Sequence, residues 1–290
     1  MAAGRAPDET RVQRQDFTIS RGSGKPGLDV RVYRPQALVP PSAGILYIHG
    51  GGMVMGSIAA DDAYAAALAV DVGCTVVSVG YGLAPENPGT GPVEDCYDAL
   101  VWLVAQASEI GVDVGRLAVF GVSAGGGIAC GLSLLARDRG TPRLTYQMLI
   151  YPMLDDRSAT PSSHAIVDLG VWDRAANLEA WRHLLGEDVG GSDVSPYAAP
   201  ARETELSGLP ATYLDVGDLD LFFDEDIQLA QRLANCGVPL ELHVYPGAYH
   251  GFDQIAPGAD MAKTARGNRL AALRRALATA SSAIQSEGRK

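Results

Sequence analysis

An α/β fold, with a mostly parallel sheet of about eight strands covered by helices on both faces, is the architecture this chain predicts. Three observations carry that expectation. Short, apolar, β-branched runs such as Thr75 to Val79 recur between amphipathic stretches, as strands buried on both faces do. Two runs that alternate in polarity stand together at the beginning, where an edge hairpin would sit. Between the apolar run Leu117 to Phe120 and the small-residue stretch Gly126 to Arg137 lies Gly121-Val122-Ser123-Ala124-Gly125, a serine at a strand-to-helix junction.

The elements follow in order. Val12 to Ser20 and Leu28 to Tyr33 form the hairpin, closed off by Pro35. Gly44 to Ile48, Thr75 to Val79, Leu117 to Phe120, Tyr146 to Ile150, Ala211 to Val216 and Pro239 to Tyr245 continue the strand series. The clearest helix places Val93, Cys96, Tyr97, Leu100, Val101 and Val104 at helical spacing, with Pro92 in its first turn and Glu94 and Asp95 near the positive end of its dipole. Asp224 to Cys236 is another, closed by Gly237, and the last runs from Ala259 to Ile284 with Leu270, Leu273 and Leu277 on one face. One stretch breaks the rhythm. From Pro152 to Leu209 no strand is expected, and a helix from Ala175 to Leu185, with Trp172 and Trp181, fills the middle. That is too long for a plain connection, so residues 152–209 are expected to form an inserted cap on a domain made of residues 1–151 and 210–290.

Composition narrows the function classes. A chain of 290 residues, 47% apolar, can bury a large core. Its net charge of −11 offers no basic face to nucleic acid or anionic lipid. Met1 to Arg14 is polar, and no run approaches the roughly 18 apolar residues of a membrane span. A cytoplasmic protein without nucleic-acid or membrane partners is the expectation. The four cysteines, Cys74, Cys96, Cys130 and Cys236, have no paired spacing and read as buried thiols.

The chemistry lies in the loops after strands. Gly-x-Ser-x-Gly places Ser123 on a sharp turn beside helix N-terminal amides that can stabilise an anion. Rarer still is His49-Gly50-Gly51-Gly52 after the strand ending at Ile48. Consecutive glycines let backbone N–H groups turn inward with no side chain to block a substrate. With the amide of Ala124 they could hold a tetrahedral oxyanion. A phosphate cradle is disfavoured, because no Gly-Lys-Ser/Thr follows.

A serine nucleophile needs a base, and the base an orienting acid. Of five histidines, His49 belongs to the glycine loop, His164 and His183 to the cap, and His243 to the last strand. His250 lies beyond that strand, where a general base belongs. For the acid, the loop after Ala211 to Val216 offers Asp218 and Asp220, which position alone does not separate; Asp224 reads as a helix N-terminal residue. The order serine, aspartate, histidine is that of α/β-hydrolases.

With these residues the chain resembles the hormone-sensitive-lipase-like esterases, the bacterial family IV branch of the α/β-hydrolase fold. The resemblance runs from Val30 to Phe252 and rests on His49 to Gly52, Tyr81-Gly-Leu-Ala-Pro-Glu86, Gly121 to Gly126, Val216-Gly-Asp-Leu-Asp220 with Asp224-Glu225, and His250-Gly-Phe252. It implies Ser123, Asp220 and His250 as the triad, selecting Asp220 over Asp218, with Gly51, Gly52 and Ala124 as oxyanion donors and His49 and Gly50 supporting their loop. No metal or organic cofactor is implied.

Departures from the family are informative. Val122 precedes the nucleophile where the family carries Asp, Glu or Thr, Gly82 stands for its usual arginine, and Asn87 for a common histidine. Met53 replaces an aromatic residue after the glycine loop, and the first strand begins near residue 12, so residues 1–11 would be at most a remnant of the family's N-terminal cap and the site more open. Met53, Val54, Trp172 and Trp181 are the expected pocket wall. The expected reaction is hydrolysis of short-to-medium acyl or aryl esters. The same triad would also suit a lactone, amide or carbamate, or acyl transfer; relatives that act as small-molecule receptors have lost the base, which His250 here supplies. Two copies are expected to pair through the edge strand 239–245.

Overall fold

The computed structural model describes residues 11–22, 24–168 and 170–279. Eight strands form one sheet in the order β1-β2-β4-β3-β5-β6-β7-β8. These are β1 (Val12–Ile19), β2 (Leu28–Pro35), β3 (Ser42–Ile48), β4 (Thr75–Gly80), β5 (Val112–Val122), β6 (Tyr146–Ile150), β7 (Ala211–Leu219) and β8 (Leu240–Tyr249). β2 runs antiparallel to both its neighbours, and all other pairs are parallel. β3, β4 and β6 are buried on both faces, which is why they read as continuous apolar runs rather than alternating ones.

The chain leaves β3 toward β4 on one side and later adds β5 on the other. The strand order therefore reverses between β3 and β5, and a crevice opens above their carboxyl ends, where ligands of open α/β sheets bind. His49 follows β3, and Ser123 follows β5. On one face pack α1 (Asp62–Val72) and α9 (Asp260–Thr279); on the other lie α2 (Gly91–Ala105), α4 (Ala124–Arg139) and α7 (Phe223–Asn235), while α3 (Ala107–Ile110) and α8 (Phe252–Ile255) are single turns. Among the described residues no helix is long and apolar enough to cross a membrane.

Several strands outrun their apolar cores. β5 starts at Val112 rather than Leu117, β7 ends at Leu219 rather than Val216, and β8 ends at Tyr249 rather than Tyr245. The last two extensions share one cause. Between Gly217 and Leu219 the β7–β8 register shifts, and the ladder resumes at Leu219 opposite Tyr249. Gly217 lies so close to the Ala248 carbonyl that a Cβ there would overlap it. This close approach draws the end of β7 beside the end of β8, and so Asp220 beside His250.

No strand occurs between β6 and β7. That segment carries α5 (Pro161–Ala165), capped by Thr160, and α6 (Arg174–Leu185), capped by Asp173, where the sequence suggested one helix. Two short 3₁₀ turns, Gly186–Asp188 and Pro200–Arg202, complete it. The described part of the last helix begins at Asp260 and buries Leu273 and Leu277. Ala280 to Ile284 lie outside the described residues, as do residues 1–10. All four cysteines are free; Cys74, Cys96 and Cys130 are buried, whereas Cys236 is partly exposed just past α7.

Candidate active site

Ser123 sits at φ 57°, ψ −121°, between β5 and the first residue of α4. A side chain is rarely held there, and the surrounding backbone imposes it. Ser123 N donates to the Ile150 carbonyl at 2.8 Å, while its own carbonyl accepts from Gly126, Gly127 and Met153. A Cβ at Gly121 would overlap the Gly125 carbonyl, and one at Gly125 would overlap the Ile48 carbonyl, so only glycine fits either position. Val122 is buried and paired with Ile150 of β6. Backbone bonds to β6 and its exit thus brace the elbow where the family uses a polar side chain.

Ser123 Oγ lies 2.9 Å from His250 Nε2, and His250 Nδ1 lies 2.9 Å from Asp220 Oδ2. A carboxylate only accepts, so Nδ1 carries the proton and Nε2 presents its lone pair to the hydroxyl. Ser123 and His250 are 7% and 9% exposed, which leaves a narrow opening to both reacting atoms, and Asp220 is enclosed. Asp220 Oδ1 also accepts from Phe222 N at 3.0 Å. Asp218 instead accepts from Gly247 N of β8 and does not meet the imidazole. Tyr151 and Phe222 hold the His250 ring edge-on, with centroids 4.8 and 5.1 Å away.

The glycine loop lies opposite. Gly51 and Gly52 take φ 109° and 61°, a conformation side chains rarely adopt. Among the described residues, no protein acceptor takes the N–H of Gly51, Gly52 or Ala124. His49 braces the loop from behind: Nδ1 donates to the Gly50 carbonyl at 2.7 Å, and the ring stacks on Tyr81 at 4.3 Å. Burial lowers the His49 imidazole below its ordinary value, which keeps it neutral. Tyr81 Oη donates to the His49 carbonyl, and Gly50 packs on the Val122 carbonyl. The two loops therefore bear directly on each other.

Position 82 has no side chain. Asp95 gathers the segment instead, accepting from Gly82 N at 2.8 Å and Asn87 Nδ2 at 2.9 Å, and pairing with the guanidinium of Arg21 from the β1–β2 connection. Nothing in the sequence links Arg21 to Asp95, seventy-four positions apart.

The four residues expected to line the pocket separate. Trp172 lies over Gly52, so near that a Cβ on that glycine would enter the indole. Val54 is half-buried beside the loop. Met53 and Trp181 are enclosed and offer no surface to a substrate. Met53 has φ 65°, and its methyl points at Gly127 of α4. Trp181 lies on the inward side of α6, its Nε1 without a partner among the described residues. Residues that sequence reading missed occupy the rim instead: exposed Val171 and Ile255 both approach Gly251, next to His250, and exposed Met55 abuts Gly51.

With this geometry in hand, a family model described as the alpha/beta hydrolase fold matches residues 45–254. Carboxylesterase NlhH of Mycobacterium tuberculosis is 36% identical over 256 residues, covering 88% of this chain and 80% of its own. The chain belongs to the hormone-sensitive-lipase-like esterases of the α/β-hydrolase fold. Esterase LipI of the same organism is 35% identical over 275 residues, or 93% of this chain and 84% of LipI. A solved bacterial heroin esterase superposes on the enzyme with a TM-score of 0.89 at 41% identity, covering 92% of this chain and 85% of that one. The enzyme is a carboxylic ester hydrolase.

Proposed function

We propose that the enzyme cleaves short-to-medium acyl or aryl esters through an acyl-enzyme on Ser123. His250 Nε2 takes the hydroxyl proton as Oγ attacks the ester carbonyl, and returns it to the leaving alcohol oxygen. Asp220 holds the imidazole in the required tautomer and stabilises the imidazolium. The N–H groups of Gly51, Gly52 and Ala124 receive the developing oxyanion. Water, activated by His250, then releases the acid.

The observation that carries this reading is the 2.9 Å hydrogen-bond chain from Ser123 through His250 to Asp220, beside a glycine loop whose Gly50 packs on Ser123. The leaving oxygen must reach His250 Nε2, so Val171 and Ile255 lie nearest the alcohol. Their apolar surface, and the likeness to a bacterial heroin esterase, support an apolar or aromatic alcohol. Hydrolysis of p-nitrophenyl esters from acetate to laurate by the parent and by Ser123→Ala tests the proposal. The variant should lose about 10⁴–10⁶ in kcat, with activity in the parent greatest on the shorter chains. Parent-like turnover by the variant would refute it.

A further inference from the structure

We propose that Arg269, outside the reacting groups, positions the general base by tying the loop that carries His250 to the strand that carries Asp220. The proposal rests on the triad reading above and assigns Arg269, Asp253 and Tyr151 to turnover rather than to substrate binding.

Arg269 of α9 is enclosed, and each of its three guanidinium nitrogens donates to a carboxylate. Nε and Nη2 donate to the two oxygens of Asp215 at 2.7 and 3.0 Å, a bidentate pair. Nη1 donates to Asp253 Oδ2 at 2.5 Å. Asp215 belongs to β7, five residues before Asp220, and Asp253 comes three residues after His250. One planar group therefore fixes the separation between the element bearing the acid and the loop bearing the base.

Tyr151 closes the circuit. It follows β6 directly, at φ 35°, and its backbone N donates to the Asp215 carbonyl at 2.7 Å. Its hydroxyl donates to the second oxygen of Asp253 at 2.8 Å, and its ring meets the edge of His250. The Arg269 guanidinium lies 5.6 Å from the same ring. Tyr213 Oη supplies a further bond to Asp215 at 3.0 Å. The imidazole is thus held by Asp220 through one nitrogen and by Tyr151 against its side; Tyr151 is bonded to Asp253, and Asp220 follows Asp215 by five residues.

The network suits positioning better than plain stabilisation. Buried ions forfeit hydration, and apolar residues of similar volume often stabilise a core as well or better. Burying a guanidinium and two carboxylates is therefore a poor device for stability alone. Moreover, β8 is the last strand of the sheet, so the loop after it has neighbouring strands on one side only. Helix α9 supplies the missing support at Asp253. Rigid planar bidentate geometry is what sub-ångström placement of a base requires, and misplacing a reacting group by about 1 Å can cost about 100-fold in rate.

The test uses Tyr151→Phe, which deletes one oxygen, Asp253→Asn, their double variant, Arg269→Met and Arg269→Lys. A separate aliquot of each is titrated to completion with a fluorophosphonate, so that the kcat of the unlabelled enzyme on p-nitrophenyl butyrate is counted per reactive Ser123. Each single variant should lose about tenfold in kcat with KM within about twofold. The double should be no slower than its worse parent, because both changes cut one tether. Arg269→Lys should recover part of the per-site kcat that Arg269→Met loses. A per-site kcat within about threefold of the parent in Tyr151→Phe or Asp253→Asn, whatever happens to Tm, overturns the proposal, as do losses that multiply in the double. Absence of label on Ser123 in the parent would be a separate result, against the triad itself.

Discussion

At the scale of single residues, Asp220 and Asp218 show how far sequence spacing reaches. Two aspartates two positions apart in one loop are equivalent on paper. The register shift at Gly217 sends one under His250 and the other to the Gly247 amide. Asp220→Asn should therefore lower kcat by about 10³–10⁴ through loss of the tautomer, while Asp218→Asn changes it by less than about twofold; steady-state kinetics on one ester checks both. A larger defect at Asp218 would reverse the assignment. Asp226 was invisible in the sequence, where it reads as one more acidic residue in the first turn of α7. Both its carboxylate oxygens are buried without a hydrogen-bond partner among the described residues. Burial, and then the nearby Glu225, Asp220 and Asp215, push its carboxyl well above the usual carboxylate range. The sign follows from proton uptake on folding. Below the unfolded value near 4 the group is protonated in both states; as pH rises past it, only the unfolded chain releases the proton, and stability falls until the folded value is passed. Asp226→Asn removes that loss, so its Tm advantage over the parent should grow as pH rises above the unfolded value near 4. A pH-independent gap would contradict this origin.

At the scale of elements, the elbow and the glycine loop were legible because each depends on glycine at fixed places. Their supports were not. Val122 gives no sequence clue that β6 and Met153 hold the nucleophile, and His49, Tyr81 and Gly50 meet only in three dimensions. The same limit hid the Arg269 network, whose members come from four separate elements and are residue types that usually face water. Met53 and Trp181 erred in the opposite way. Large apolar residues near a motif look like pocket lining, yet backbone direction turned both inward. The elbow yields a sharp expectation. Gly125→Ala should destabilise the fold by about 3 kcal/mol or more, read as a lower denaturant midpoint, since a Cβ would meet the Ile48 and His49 carbonyls. A midpoint equal to the parent's would show that β3 and the elbow can separate. The segment between β6 and β7 is tied to the rest of the fold at several points: Glu225 accepts from Leu154 N, Asp224 from Ser162 N, and Gly89 N donates to the Leu184 carbonyl. Asp224, read as a helix-terminal residue, thus also anchors α5.

At the scale of the whole molecule, the order of strands and helices followed from periodicity, and the parallel core from runs apolar on both faces. Strand ends and the path of the segment between β6 and β7 did not, because register and side-chain contacts set them. The two sheet edges differ. β1 carries Arg14, Asp16 and Gln15 along its length, charges and polar groups that discourage pairing. β8 presents Leu242 and Val244, each 39% exposed, on one side of an unpaired edge. Two copies are expected to pair along β8. Light scattering at micromolar concentration should give a dimer that Leu242→Lys converts to monomer, and a monomeric parent would defeat the expectation.

The claim on which everything else depends is that Ser123 forms the acyl-enzyme. The most direct measurement is peptide mass spectrometry of the enzyme inactivated by a fluorophosphonate, with residual esterase activity followed against adduct. One phosphonyl group on Ser123, rising in proportion to lost activity and absent from Ser123→Ala, is the result expected. An adduct on another residue, or full activity with Ser123 completely modified, would contradict it.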